Sequence, residues 1–338
     1  RQMCIRDRVG DYNILYQTIV AIFTYIGDKS IYYYKILSIF FDFCMAISAA
    51  IFACELSKKE KNDKVFFVTF AAVIMLPTVI LNSAYWGQCD SIYTTFIILT
   101  LLYLYREKYH RAFMFLGIAF AFKMQTIFIF PFIICFYIYK KQFSIFELLI
   151  TVFTFWISGI GAFVQGRSLL DPFRIYANQT GTYQYMHVNF PSFWMFVGND
   201  YEWLKTAAIV MAAGICGMGL YIIMKRKLDC SRPENFVSIA SWFIWTCVLF
   251  LPAMHERYAY PLEILLVILT CINKDYLKYS SVAILFSLFT YGNYLFSNGG
   301  LDKYIVIIYA GCYLHFTYTI LKKNSKAATV TDKEMQNE

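Results

Sequence analysis

Charge is scarce in this sequence, and that scarcity excludes most soluble folds. Only 15% of its 338 residues are charged and 59% are hydrophobic. The mean hydropathy is +0.52, far from the value of a soluble domain of this length. The sequence also lacks a Walker-type phosphate loop, an HExxH motif, a GxSxG motif and a glycine-rich dinucleotide turn. These absences disfavour a nucleotide-driven pump and a hydrolase of soluble type.

Cysteine spacing excludes a further class of site. The ten cysteines show no paired spacing of the kind that a metal site needs. Most of them fall in apolar runs, where a thiol behaves as a small hydrophobe. The sequence therefore predicts neither a disulfide framework nor a zinc site.

Apolar runs are what the sequence has in abundance, and a bilayer crossing takes about twenty such residues. They leave almost no room for a water-soluble domain. The runs lie at residues 33–55, 65–82, 92–105, 144–165, 204–224, 236–253, 258–273, 279–297 and 303–321. The pattern predicts an all-α, polytopic transmembrane helical bundle.

Basic clusters between the runs predict the topology. The net charge of +8 is dispersed over short inter-helix clusters, so no single patch favours a nucleic-acid partner. The clusters fall in alternate loops, which the positive-inside rule places in the cytoplasm. Residues 112–139 run from one basic loop to another, so we expect them to cross twice or to re-enter, with a turn near Lys123. This gives roughly 10–11 membrane-embedded helices.

On this topology the polar segments share the outer face. Charged groups at membrane depth are expensive and are retained mainly where they line a cavity or a pathway. The sequence therefore predicts an outward-facing polar cavity. Its segments are "GDYNILY" (10–16), "SAYWGQCDS" (83–91), Lys123 with Gln125, the stretch 166–203, and "MHERYAYP" (254–261).

The segment "MHERYAYP" places three ionisable residues between two apolar runs. Pro252 and Pro261 bracket it, and each disfavours helix at the residue before it, which predicts a bent connection. Such a bend allows His255 and Arg257 to face one ligand, which a spacing of two on a regular helix does not. The alternative is an ordinary loop with a pair of Glu256 and Arg257 at the level of the lipid headgroups.

The sequence "YWGQCD" predicts a tight turn, because Gly87 permits an unusual backbone conformation. It presents Trp86, Gln88 and Asp90 together. The aspartate is suited to orient a side chain or to act as a base. The tryptophan is suited either to stack on a sugar ring or to anchor the chain at the membrane interface.

Lys123 lies within an apolar stretch and must therefore meet an anion. One candidate is the phosphate of a lipid-linked substrate, toward which lysine is a strong point charge. The other is a structural pair with Asp90 or Glu263.

The stretch 166–203 is rich in Tyr, Asn, Gln and Trp, side chains suited to bind sugars. Long loops in compact proteins are usually functional.

Together these stretches resemble the GT-C glycosyltransferases that use a polyprenyl-phosphate sugar as donor, and most closely the bacterial relatives of the second mannosyltransferase of glycosylphosphatidylinositol assembly. The resemblance covers nearly the whole chain, in the family's order. "GDYNILY" is similar to Gly-Asp-Tyr-Pro-Pro-Leu-Tyr, "NSAYWGQCDSIY" to Trp-Gly-Gln-x-Asp, "FKMQTIFIFPF" to Phe-Lys-x-Gln, "NFPSFW" to Asn-x-x-x-x-Trp, and "MHERYAYP" to His-Glu-Arg-Tyr.

The resemblance implies a GT-C bundle in a bacterial cytoplasmic membrane, with its active site facing outward. It implies transfer of a hexose, mannose first, from a polyprenyl-phosphate sugar to a glycan or lipid-linked acceptor of the cell envelope, with inversion. Some families of this superfamily need a divalent metal and others do not; the sequence shows no dedicated metal cage, and no cofactor is assigned. The implied roles are catalysis for Asp11 and Asp90, donor-phosphate binding for His255, Arg257 and Lys123, and substrate contact for Tyr12, Trp86, Gln88, Gln125, Asn189, Trp194, Glu256 and Tyr258.

Two departures from the family pattern are visible. Asn13 and Ile14 stand where the family has two prolines. In the family the acidic catalytic base precedes the Asp-Tyr stretch, so the resemblance implies that this chain lacks the base and that Asp11 is a supporting residue. The composition of residues 1–10 differs from the rest, and we expect them to be a non-native leader. On this interpretation residues 11–322 form an N-terminally truncated transmembrane domain, and residues 323–338 form a disordered cytoplasmic tail.

Two other functions remain open. A transporter or flippase for lipid-linked sugars would also use intramembrane cations and an aromatic cavity. It predicts internal repeats and charges on both sides of a midplane site, whereas no repeat is visible and the polar segments share one face. A non-catalytic membrane subunit is the third possibility.

Overall fold

The computed structural model describes residues 12–26, 30–57, 63–179, 182–297 and 303–335; the regular elements in these ranges are helices, with no strand among them. The leader 1–10 and Asp11 lie outside the described residues. The α-helices are α1 Ile14–Ile26, α2 Ser30–Leu56, α3 Asp63–Ile74, α4 Pro77–Ile80, α5 Asp90–Tyr105, α6 Tyr109–Phe122, α7 Phe130–Lys140, α8 Glu147–Ile157, α9 Ile160–Phe163, α10 Asp171–Gln179, α11 Tyr201–Lys225, α12 Pro233–Phe250, α13 Tyr260–Ile272, α14 Leu277–Phe296 and α15 Tyr304–Met335. The predicted all-α class is confirmed.

Within the described ranges, three helices are long and apolar enough to cross a membrane: Ile31–Leu56, Tyr201–Lys225 and Tyr304–Lys323. A fourth candidate is the pair Lys64–Ile74 and Pro77–Trp86, which is bent by 48°. The bend lies at Pro77, whose ring disfavours helix at the preceding residue. These spans indicate a membrane protein, while the larger number of 10–11 embedded helices stays a prediction.

Helix α2, a candidate membrane span, has one exposed apolar face and one buried face. Its outward stripe is apolar and exposed at helical spacing, as expected of a surface that meets lipid. The opposite face buries Ser38 and Asp42. The exposed residues are Ile36, Phe40, Phe43 and Ile47.

The chain forms two compact units. Unit 1 comprises 1–127 and 141–184, and unit 2 comprises 128–140 and 185–338. In unit 1, α5 packs between α2 and α6, and α6 packs on α8. In unit 2, α12 contacts α11, α13 and α15 and is buried along nearly its whole length, as expected of a helix that is apolar on every side.

The last helix extends beyond its candidate span. Helix α15 continues through Met335, so its backbone is helical in most of the segment 323–338 for which the sequence predicts a disordered tail. The alanines and lysines of that segment are good helix formers, which accounts for the continuation.

The contact between α6 and α8 gives the first prediction. A Cβ on Gly117 would lie 2.6 Å from the carbonyl oxygen of Thr151 and 2.7 Å from Cβ of Thr154. Because the nearest atom is backbone, Gly117→Ala must push the helices apart, and we expect it to cost about 1–3 kcal/mol. Thermal unfolding of the detergent-solubilised protein measures this cost.

A glycine on α11 supplies the control for Gly117→Ala. Nothing lies within 4 Å of a Cβ on Gly214, so Gly214→Ala should leave the melting temperature unchanged or raise it, since alanine favours helix. Equal melting temperatures for the two variants would contradict the close packing of α6 on α8.

Candidate functional site

The predicted turn around Gly87 is present in unit 1. A π-helix, Leu81–Trp86, ends at Gly87, which adopts the left-handed conformation with φ 77°. The amides of Gly87 and Gln88 donate to the carbonyl oxygens of Ser83 and Asn82 at 2.9 Å. The backbone therefore needs glycine here, as the sequence predicts.

Asp90 begins α5 immediately after this turn and is fully buried. Asn82 donates its side-chain amide to Oδ2 of Asp90 at 2.8 Å. The ammonium group of Lys123 contacts Oδ1 of the same carboxylate. The N-terminus of α5 adds a favourable dipole for the negative charge. Both carboxylate oxygens of Asp90 are thus held by donors within unit 1.

Lys123 lies at the helix break that the sequence predicts. Helix α6 ends at Phe122, and Lys123 is extended, with φ −153° and ψ 133°. Its ammonium also lies 5.4 Å from the ring centroid of Tyr93. The anion that Lys123 contacts is Asp90. Asp90 is one of the two carboxylates that the sequence offers for a structural pair. Donor-phosphate binding by Lys123 stays a prediction.

A second buried acid lies beside the turn and was missed by sequence reasoning. Asp42 on α2 accepts a hydrogen bond from Ser83 Oγ at 2.7 Å. One turn earlier on α2, the carbonyl oxygen of Ser38 accepts from Ser91 Oγ at 3.1 Å. Asp42 thereby fixes α2 against the turn. The signal was an isolated acid in an otherwise apolar span, which membrane energetics marks as functional or paired.

Residues 12–17 are tied to the same turn through a chain of polar contacts. Tyr12 donates its hydroxyl to Gln88 Oε1 at 3.1 Å. Gln17 donates to the carbonyl oxygen of Tyr12 at 2.5 Å and accepts from Arg167 Nη1 at 2.7 Å. Arg167 in turn lies 3.4 Å from Asp171. Sequence reasoning missed the buried Arg167, since its partner Gln17 is 150 residues away.

Asn13, the departure from the family pattern, caps the start of α1. Its side-chain oxygen accepts from the amide of Ile14 at 2.7 Å, and its side-chain nitrogen donates to the carbonyl oxygen of Pro172 at 3.0 Å. Asparagine is among the preferred residues at a helix start. Asn13 therefore has a structural role in this chain.

The predicted bent connection is present in unit 2. Helix α12 ends at Phe250, and α13 begins at Tyr260 with Pro261 in its first turn. Between them Ala253 has φ 58°, an uncommon conformation for a residue other than glycine. The amide of Ala253 donates to Met186 at 3.1 Å, and the amide of Val188 donates to Met254 at 3.0 Å. The stretch 186–188 thus holds the 254–258 segment in place.

Glu256 lies close to the two other ionisable side chains of the 254–258 segment. Arg257 Nη1 donates to its Oε1 at 2.8 Å, and His255 Nδ1 lies 3.8 Å from its Oε2. The carbonyl oxygen of Glu256 also accepts from Thr290 Oγ1 at 3.2 Å. Glu256 is 0% exposed. The pair of Glu256 and Arg257 is present, with a buried carboxylate and a guanidinium side chain that is 16% exposed.

The aromatic and histidine neighbours complete this segment. The rings of His255 and Tyr258 lie with centroids 5.0 Å apart. His187, whose backbone pairs with Met254, is half-buried. Burial lowers the pKa of His187 below its usual value, because the charged form loses hydration. His187 therefore favours the neutral form.

The remaining predicted residues lie in varied surroundings. Trp194 is 3% exposed and donates its indole N–H to the carbonyl oxygen of Phe250 at 2.7 Å, a contact that fixes the end of α12. Asn189 has φ 53°, a conformation that asparagine tolerates. Gln125 is buried, and its Oε1 accepts no hydrogen bond within the described part of the chain. Their substrate contacts stay predictions.

The comparisons with known proteins do not assign this chain to a family. No family model and no curated protein matches this chain. Among the described residues, no three His, Cys, Asp and Glu side chains are grouped so as to hold a metal ion. The chemistry available is that of two charged clusters, one around Asp90 in unit 1 and one around Glu256 in unit 2.

Proposed function

We propose that this protein is an integral-membrane glycosyltransferase of the GT-C type. It transfers a hexose from a polyprenyl-phosphate sugar to a lipid-linked or cell-envelope acceptor, with inversion. Mannose is the first candidate for the hexose. The observation that carries the proposal is the 254–258 segment. A fully buried glutamate there orders a guanidinium and an imidazole on a bent connection between two apolar helices. Such a cluster is expensive in a membrane protein and needs a function.

The leaving group explains the two cations. A lipid phosphate leaves readily and needs stabilisation of its negative charge more than a proton. The Arg257 side chain keeps 16% of its surface exposed although its partner Glu256 is buried. An arginine in this position suits the paired oxygens of a phosphate, because a guanidinium presents donors in a fixed planar fork. His255, ordered by the same carboxylate, is the second phosphate ligand.

The attacking group needs one base. An acceptor hydroxyl loses its proton as it attacks the anomeric carbon, and a single carboxylate is enough for that step. Both oxygens of Asp90 are already engaged by Asn82 and Lys123, so its contacts fit an orienting role better than proton abstraction. The remaining candidates for the base are Asp11 and the acid that the resemblance places upstream of the Asp-Tyr stretch. Attack without a covalent sugar intermediate inverts the anomeric centre.

Transfer in membranes tests the proposal. Membranes containing the full-length protein are given radiolabelled polyprenyl-phosphate mannose and a lipid extract of the host. We expect label in a new lipid or glycan product, and we expect His255→Ala to abolish it. His110→Ala is the matched control, since the His110 side chain is 83% exposed in unit 1. Transfer at the wild-type rate in His255→Ala would refute the role of the 254–258 segment.

A further inference from the structure

Lys35 on α2 packs against the Gly87 turn. A Cβ on Gly87 would lie 3.5 Å from Cγ and 4.0 Å from Cε of Lys35. Lys35 shares one helix face with Ser38 and Asp42, three and seven residues further along. Those two residues contact Ser91 and Ser83 on either side of the turn. The face that carries Lys35 is therefore the face that α2 packs on the turn.

The other cations near the motif residues of unit 1 are committed to carboxylates. Lys123 contacts Asp90, and both Arg167 and Arg174 lie within 3.6 Å of Asp171. Lys35 makes no ion pair with any carboxylate of the described ranges. It is half-buried.

A second donor lies on the same turn. The side-chain oxygen of Gln88 accepts from Tyr12, which leaves the amide nitrogen of Gln88 to donate elsewhere. No acceptor for that nitrogen occurs among the residues that the structure describes. A cationic side chain and a neutral side-chain donor thus occur at the same turn.

We propose that Lys35 and Gln88 bind the phosphate group of a lipid-linked substrate at the Gly87 turn. The inference rests on the proposed function, which supplies such a substrate. A lysine ammonium is a compact point charge suited to phosphate, and a charge-assisted hydrogen bond is the strong kind. Lysine within a candidate span is costly. The competing explanation is that Lys35 snorkels to the headgroups of bulk lipid.

Binding in nanodiscs tests the assignment without requiring turnover. The full chain is placed in phosphatidylcholine nanodiscs with radiolabelled polyprenyl phosphate in one arm and radiolabelled phosphatidylinositol in the other. Lys35→Met removes the charge at similar length, and Lys35→Arg keeps it. Lys64→Met is the control, because Lys64 is an exposed lysine of the same unit.

We expect Lys35→Met to weaken binding in one arm about tenfold, with Lys35→Arg close to wild type and Lys64→Met unchanged. The affected arm identifies which lipid supplies the phosphate. Equal binding by Lys35→Met and Lys64→Met in both arms overturns the assignment in favour of snorkelling, and so does a wild-type protein that binds neither lipid. Parallel transfer assays separate the two proposals: binding that depends on Lys35 without transfer would refute only the glycosyltransferase function.

Discussion

Replacing Lys123 by Met will leave little folded protein, and adding Asp90→Asn will restore it. Asp90 is fully buried, so removal of the ammonium leaves its carboxylate charge without compensation. Breaking a buried ion pair costs about 3–5 kcal/mol, a large share of the roughly 5–15 kcal/mol that holds a domain folded. The double variant removes both charges. The side-chain carbonyl oxygen that Asp90→Asn leaves at position 90 can still accept the hydrogen bond from Asn82. Monodisperse yield and thermal unfolding in detergent measure the difference.

An exposed ion pair of the same unit provides the control. Arg106 contacts Glu55 at 2.5 Å, with side chains 36% and 35% exposed. Because solvent screens such pairs, Arg106→Met should cost no more than about 1 kcal/mol. Equal losses for Lys123→Met and Arg106→Met would show that the Asp90 pair is not buried as described.

Activity of the double variant separates the two interpretations of Lys123. If Lys123 serves only to neutralise Asp90, the folded double variant transfers sugar as fast as Asp90→Asn alone. If Lys123 also binds the donor phosphate, the double variant folds but transfers more slowly than Asp90→Asn. The single variant cannot distinguish these cases, because its folding defect hides its chemistry.

Arg257→Ala will lower the rate of sugar transfer by about 100–1,000-fold, the range observed when one preorganised transition-state donor is removed. The guanidinium is the group that we assign to the departing phosphate. Since the substitution also leaves the buried Glu256 without its 2.8 Å partner, the companion variant Arg257→Ala with Glu256→Gln removes that charge. We expect the companion to be folded and equally slow.

A surface arginine is the control for Arg257. Arg174 is 63% exposed and lies 3.6 Å from Asp171, so Arg174→Ala should transfer at the wild-type rate. A companion variant of Arg257 that is folded and as fast as Arg174→Ala would remove Arg257 from the mechanism.

The helix breaks of the fold were predictable because they have local causes. Pro252 and Pro261 signal the connection between α12 and α13, Gly87 signals a left-handed turn, and a lysine in an apolar stretch signals the break at Lys123. Helix lengths were less predictable. An apolar run sets how much chain can be embedded, but the ends of each helix depend on packing with distant segments.

In the candidate site, too, some features could be predicted from local sequence and others depend on distant contacts. Motif spacing identified Asp90 and Glu256 as chemically important, since buried charge in an apolar chain is rarely incidental. Their partners depend on long-range contacts: Lys123 lies 33 residues from Asp90, and Arg167 lies 150 residues from Gln17. No local pattern specifies such distances. Trp194 illustrates the converse, because its motif position gave no sign that its indole N–H holds the end of α12.

The most direct measurement of the central claim follows a donor that carries two labels, one on the sugar and one on the lipid phosphate. The full-length protein is reconstituted in vesicles with this donor and a lipid extract as acceptor. A glycosyltransferase separates the labels: the sugar label enters a new product while the phosphate label remains on the free polyprenyl phosphate, and Arg257→Ala stops the separation. Movement of both labels together across the vesicle membrane, with no separation, would contradict the account and identify a transporter of the intact lipid-linked sugar.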